Sequence, residues 1–179
     1  WKRLNENMGE WEMNIFVLMK RTFDTEEKIA VQNGQINDDG AEFIINPYDE
    51  YAIEEAIQLR DAHGGEVTVI TIGGEESEKE LRTALAMGCD KAVLINTEEE
   101  LEAGDQFTTS RILAEFFKDK EADIILGGNV AIDGGSGQVG PRLAELLNIS
   151  YVTTITKLEI DGNKATVVRD VEGDSEVIE

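Results

Sequence analysis

From Met13 onward, short apolar runs alternate with longer stretches in which apolar residues recur every three or four positions. NIFVLMK (14–20) is an almost continuous apolar run, as expected of a strand buried on both faces of a parallel sheet. KIAVQNGQIND sets Asn33-Gly34 between two short alternating runs and reads as a surface hairpin or loop. NPYDEYAIEEAIQLRDAHGG puts Pro47 at a helix start, and Ala52, Ile53, Ala56, Ile57 and Leu59 form an apolar stripe that stops at Gly64-Gly65. EVTVITI (66–72) is a second core strand, ESEKELRTALAMG a second helix closed by Gly88, and KAVLIN (91–96) a third strand. A helix is expected around 106–118 with Ile112, Leu113, Phe116 and Phe117 inward. DIILGG follows as a fourth strand, then a helix striped by Val139, Leu143, Leu146 and Leu147. YVTTITKLEI is read as a fifth strand, turned by Asp161-Gly162-Asn163 into KATVVRDV.

Strands alternating with helices predict an α/β fold. The expectation is a doubly wound, mostly parallel five-stranded sheet with helices on both faces, Rossmann-like, plus a C-terminal β-hairpin. Residues 13–179 are read as a single α/β domain. WKRLNENMGEWE (1–12) is polar and without a core pattern, and is expected to be a non-native or disordered leader, with Met13 the native start. In such sheets ligands sit beyond the C-terminal strand ends, where strand order reverses. If the first strand lies beside the fourth, the crevice runs between Leu18–Arg21 and Gly127–Val139.

The stretch DIILGGNVAIDGGSGQVGPRLAELL (123–147) concentrates glycines between a strand and a helix. Such backbone freedom suits a phosphate held by N–H groups that no side chain crowds, on the N-terminus of a helix starting near Gln138. The stretch lacks the Gly-Lys-Ser/Thr ending of a P-loop. Gly135, Gly137 and Gly140 spell GxGxxG, which alone is a weak signal. A long turn merely spanning strand and helix is the plainer alternative. Asp133 suits a bond to the loop backbone or to a ribose hydroxyl better than catalysis. Lys20, at the end of the first strand, either faces an anionic ligand or is simply solvated. His63 fits a helix C-terminus rather than a catalytic base, and Cys89 packing as a small apolar residue.

Charge narrows the partners. With 38 acidic against 16 basic side chains the net charge is -22, which disfavours nucleic acids and anionic membranes. No apolar run reaches membrane-spanning length and no metal-ligand spacing is present. The lone cysteine cannot form an internal disulfide, so a cytoplasmic location is expected.

NPYDEYAIEEAIQLRD, LRTALAMGCDKAVLI and GGNVAIDGGSGQVGPRLAELL, in this order and spacing, closely resemble the beta subunit of bacterial electron transfer flavoprotein, from Met13 to the C-terminus. VVRDVEGDSEVIE resembles the opening of that family's signature region, so the family's C-terminal arm is expected to be missing. The resemblance implies a heterodimer with an electron transfer flavoprotein alpha subunit that holds most of the FAD. The beta subunit then carries a structural AMP and is no enzyme itself. Electrons would pass from acyl-CoA dehydrogenases, as in fatty acid beta-oxidation, to a quinone oxidoreductase or related acceptor. The family's AMP contacts fall on Leu18, on Asn46, Pro47, Tyr48 and Asp49, and on Ile72. They continue over Gly128, Asn129, Val130, Ala131, Ile132, Asp133, Gly134, Gly135, Ser136, Gly137, Gln138 and Val139. Many relatives carry a basic residue and Gln in place of Asn129 and Val130, and an acid in place of Gly135, which leaves backbone contacts at those positions.

Three other readings stand beside this one. A bifurcating type would hold a second FAD in the same pocket, an NAD-dependent enzyme would use the GxGxxG, and a stand-alone nucleotide-binding module would share the fold. The GxGxxG following the fourth strand rather than the first weakens the NAD reading.

Overall fold

The first apolar run becomes β1 (Met13–Leu18), in which Ile15, Phe16 and Val17 are successively buried. A computed structural model describes residues 12–26, 28, 30–37, 40–97 and 105–179 of the chain. The leader expected over 1–12 therefore lies, Glu12 apart, outside the described residues. The described residues fall into two compact units, the first drawn from Trp1–Ala103 and Ala122–Ser136, the second from Gly104–Glu121 and Gly137–Glu179. No helix among the described residues is long and apolar enough to cross a membrane.

In the first unit, an excursion of short strands leaves β1 before the first helix. β2 (Arg21–Phe23) pairs antiparallel with β5 (Phe43–Ile45), and β3 (Ala30–Gln32) with β4 (Gln35–Asn37). The β3–β4 turn is the expected hairpin, with Asn33 and Gly34 both at positive φ, as a two-residue turn matching the strand twist requires. The Arg21 guanidinium lies 3.5 Å from the centre of the Phe43 ring, and its Nε is 3.3 Å from Glu80 Oε2 in an ion pair. Helix α1 (Pro47–His63) starts on Pro47 and ends at Gly64; Ala52, Ile53, Ala56 and Leu59 are buried and Ile57 is half-buried. β6 (Gly65–Gly73) follows, then α2 (Glu78–Met87) and β7 (Lys91–Asn96). β8 (Ile124–Gly127) completes a parallel sheet of order β7-β6-β1-β8.

This is the reversal of strand order that the doubly wound reading required, with β1 beside β8. Val67 through Thr71 of β6 are buried without interruption, so neither face of the central strands is solvated, and the continuous apolar runs are thereby explained. α1 packs on β1, β6 and β8, and α2 on β6 and β7. Cys89 packs as expected: it is buried, and that burial pushes its thiol up to about 11.

In the second unit, α3 (Gln106–Phe117) opens on Asp105, whose carboxylate accepts the Thr108 N–H at 2.7 Å. It packs against α4 (Val139–Leu147), burying Leu113 and Phe117 with Leu143 and Ala144. Leu146, expected on the buried stripe of α4, is 50% exposed. β9 (Ile155–Asp161), β10 (Lys164–Val171) and β11 (Asp174–Ile178) form a separate antiparallel sheet of order β11-β10-β9.

The sheet count is thus corrected: among the described residues the parallel sheet has four strands, and the expected fifth strand belongs to a three-stranded antiparallel sheet. The physical reason lies in its residues. Lys157, Glu159 and Asp161 interrupt the apolar positions of β9, whose pattern leaves it mostly exposed. An inner parallel strand would be apolar throughout. The C-terminal hairpin is present and extended by β11.

Candidate functional site

β1 and β8 end side by side, with Leu18 opposite Gly127. Three chain segments meet beyond these ends: the two residues after β1, the first turn of α1, and the loop after β8. Pro47 holds the first helical position, so Asn46 and Asp49, three residues apart, face the same way from the turn that meets the strand ends. Both side chains are buried, at 1% and 5% exposure.

Asp49 binds backbone on both walls. One carboxylate oxygen accepts the Lys20 N–H and the other the Gly128 N–H, each at 2.8 Å. Asn46 does the same with its amide: Nδ2 donates to the Val130 carbonyl at 3.0 Å, and Oδ1 accepts the Ile132 N–H at 3.2 Å. The Asn46 backbone N–H donates to the Lys20 carbonyl at 2.9 Å, closing the ring of contacts. The sequence suggests that Asn46 also caps the helix through its side chain. It does not: it stands at the N-cap position without a side-chain cap bond, because its amide is committed to the loop after β8.

Burial pushes Asp49 up to about 6, against the opposing pull of its bonds to the Lys20 and Gly128 N–H groups, of Asn46, and of the Lys20 charge. A carboxyl raised from 3.8 to about 6 on folding favours the protonated folded state. Its contribution to stability is complete below pH 3.8 and lost as the pH rises through about 6, an effect of about 3 kcal/mol. At neutral pH Asp49 is therefore ionised at a cost in stability relative to its protonated form, while tying both walls.

The loop changes character along its length. Near its start it is tightly packed: a Cβ at Gly128 would stand 2.5 Å from Asp49 Oδ1 and 2.6 Å from Tyr48 Cβ, so only glycine allows this approach. Farther out, Asp133, Gly134, Gly135 and Ser136 are exposed. Gly135 has φ +63°, and a Cβ there would meet nothing within 4 Å. Lys20 Nζ reaches Asp133 Oδ1 at 2.7 Å, with the pair 53% and 33% exposed. This outer arc is open to approach, and the lysine beside it is paired with Asp133.

The other sequence-derived positions are distributed as follows. Leu18 ends β1, and Ile72 lies near the end of β6, half-buried. Tyr48 and Asn129 are exposed, and Ala131 half-buried. Gly137, Gln138 and Val139 belong to the second unit, where Gly137 has φ +58° and Gln138 precedes α4, its Oε1 accepting from the Arg142 guanidinium at 2.9 Å. Sequence reasoning missed the backbone of Lys20, which both gives and accepts a bond in the ring. It also missed Glu80, a buried acid in α2 paired with Arg21. A polar residue on the inward side of the α2 stripe was the signal for Glu80. Among the described residues no cluster of His, Cys, Asp and Glu is arranged to hold a metal ion.

Comparison with known proteins gives this geometry a family. The electron transfer flavoprotein domain matches residues 33–179. The electron transfer flavoprotein subunit beta of Bacillus subtilis is 70% identical over 166 residues, covering 93% of this chain and 65% of the relative. Its namesake in Syntrophomonas wolfei is 44% identical over 168 residues, with 93% and 66% covered. The caffeyl-CoA reductase-Etf complex subunit CarD of Acetobacterium woodii is 38% identical over 170 residues, with 93% and 64% covered. The chain therefore spans just under two thirds of the length of these relatives. The domain match and these identities bear out the resemblance seen in the sequence, and the chain belongs to the electron transfer flavoprotein family, on its beta-subunit side.

Proposed function

We propose that this chain is the nucleotide-binding part of a beta subunit that holds one AMP structurally in the crevice of its first unit. It pairs with an alpha subunit that carries the redox-active FAD. Acyl-CoA dehydrogenases deliver electrons to that flavin, and a quinone oxidoreductase or related acceptor takes them up, in the cytoplasm. The chain's own residues orient and bind: the first turn of α1 holds the floor of the crevice, and the outer loop receives the nucleotide.

The observation that carries this reading is the contrast within the loop after β8. Its base is fastened by Asn46 and Asp49, while Gly134, Gly135 and Ser136 face open space beside Lys20. A loop that only had to reach the next helix would have no use for a buried carboxylate fastened to the backbone on both walls. In the same pocket a second FAD is the competing ligand, a reading favoured by the 38% identity to a subunit named for a reductase complex.

The deciding experiment is production of the full-length protein with its alpha subunit, denaturation, and chromatography of the released nucleotides. One AMP and one FAD per heterodimer is expected. Two FAD would replace the AMP reading with the second-flavin one, and no adenine nucleotide beyond a single FAD would remove the proposed role of the crevice.

A further inference from the structure

We propose that Asp49 is a positioning residue: by accepting the Lys20 and Gly128 N–H groups together, it sets the spacing of the two crevice walls, and it makes no side-chain contact with the nucleotide itself. The proposal rests on the nucleotide reading above and departs from the role that family resemblance assigns to this position.

Both carboxylate oxygens are engaged by backbone at 2.8 Å, and the side chain is 5% exposed, so no face of it is presented to a ligand. Gly128 packs directly on the first turn of α1, since a Cβ there would be 2.5 Å from Asp49 Oδ1. The clamp needs two acceptors aimed in two directions. An ionised carboxylate supplies two strong ones; an amide supplies one and turns its NH₂ toward the other backbone N–H, and a carboxylic acid keeps on that side only the weaker acceptor of its hydroxyl oxygen. Lys20 is the charged group that faces Asp49 from the segment after β1. From the loop after β8, Asp133 is held to Lys20, and on α1 itself the neighbouring Glu50 is exposed.

The consequence is a pair of opposite trends. As the pH falls through about 6, Asp49 takes up a proton, which favours the fold but weakens its hold on one wall. Nucleotide retention should fall where thermal stability rises. A merely structural side chain would move both in the same direction.

The test uses the full-length protein with its alpha subunit, wild type and Asp49→Asn, measuring AMP retained after desalting and the melting temperature across about pH 5 to 8. At neutral pH the variant should hold AMP about tenfold or more weakly, while the melting temperature of the nucleotide-free protein should lose the fall that wild type shows as the pH rises through about 6. The nucleotide phosphate also titrates near pH 6, so wild type should lose AMP more steeply with acid than the variant does. Equal retention in the two proteins, or parallel pH profiles, would overturn the clamp. Should the variant fail to fold, wild-type affinity for adenosine, which lacks the titrating phosphate, decides: a fall through about pH 6 supports the clamp, and a flat profile overturns it. Wild type that holds no AMP at any pH would instead remove the nucleotide reading on which the clamp rests.

Discussion

The loop after β8 contains two regions built on different principles. From Gly128 to Ile132 the backbone is held by buried side chains of α1, and its glycine is a requirement of packing. From Asp133 to Ser136 the backbone is exposed and is tied by a short turn bond, Gly135 N–H to the Ala131 carbonyl at 2.8 Å, and by the Lys20–Asp133 pair. There the glycine at 135 answers a demand of conformation. The difference teaches that glycine density alone does not mark where a ligand sits. It marks two separate needs, a close approach of chain to chain and an arc that remains open.

Substitutions should separate the two regions by size of effect. The largest belongs to Gly128→Ala, whose Cβ would press on Asp49 and on the Tyr48 backbone, 2.7 Å from its carbonyl carbon. A stability loss of about 3 kcal/mol is expected, and denaturant unfolding measures it; a loss under about 1 kcal/mol would mean that the walls yield easily. Next comes Asn46→Leu, which takes the buried amide away from the part-buried Val130 carbonyl and Ile132 N–H and should cost about 2 kcal/mol. Since Asn46 makes no cap bond, Asn46→Ser, a good capping residue, should be no rescue.

In the outer region the effects shrink. Gly135→Ala meets open space but must hold φ +63°, for about 1 kcal/mol. Gly134→Ala, with only Lys20 Nζ at 4.0 Å from its Cβ, should leave stability within about 0.5 kcal/mol of wild type, and a larger loss would show that the outer arc is packed after all. The smallest change is expected for Asp133→Asn, which breaks an exposed ion pair worth less than about 1 kcal/mol. Melting curves at low and high salt should converge for wild type and this variant as the salt is raised.

Much of this was legible in the chain. NIFVLMK and EVTVITI read as buried parallel strands because burial on both faces leaves no position for a polar residue to escape to solvent. Pro47, Gly64 and Gly88 marked helix ends through local backbone chemistry. The antiparallel assignment of β9 was available in its polar alternate residues, but an apolar start after a helix outweighed it. The outward Leu146 depended on how α4 rotates about its axis, which four leucine and valine positions in nine residues leave open. The inward turn of Asn46 was not legible at all. Its partners, Val130 and Ile132, lie 84 and 86 residues away, and a first-turn asparagine serves equally well as a cap when nothing comes to meet it.

The most direct measurement is backbone amide exchange of the nucleotide-stripped, full-length heterodimer with and without AMP. With AMP, the slowing should concentrate on residues 133–136, while Lys20 and Gly128, whose N–H groups are already bonded to Asp49, should exchange slowly in both states. AMP that binds but slows exchange elsewhere, leaving 133–136 unchanged, would contradict a nucleotide held on the open arc of this loop.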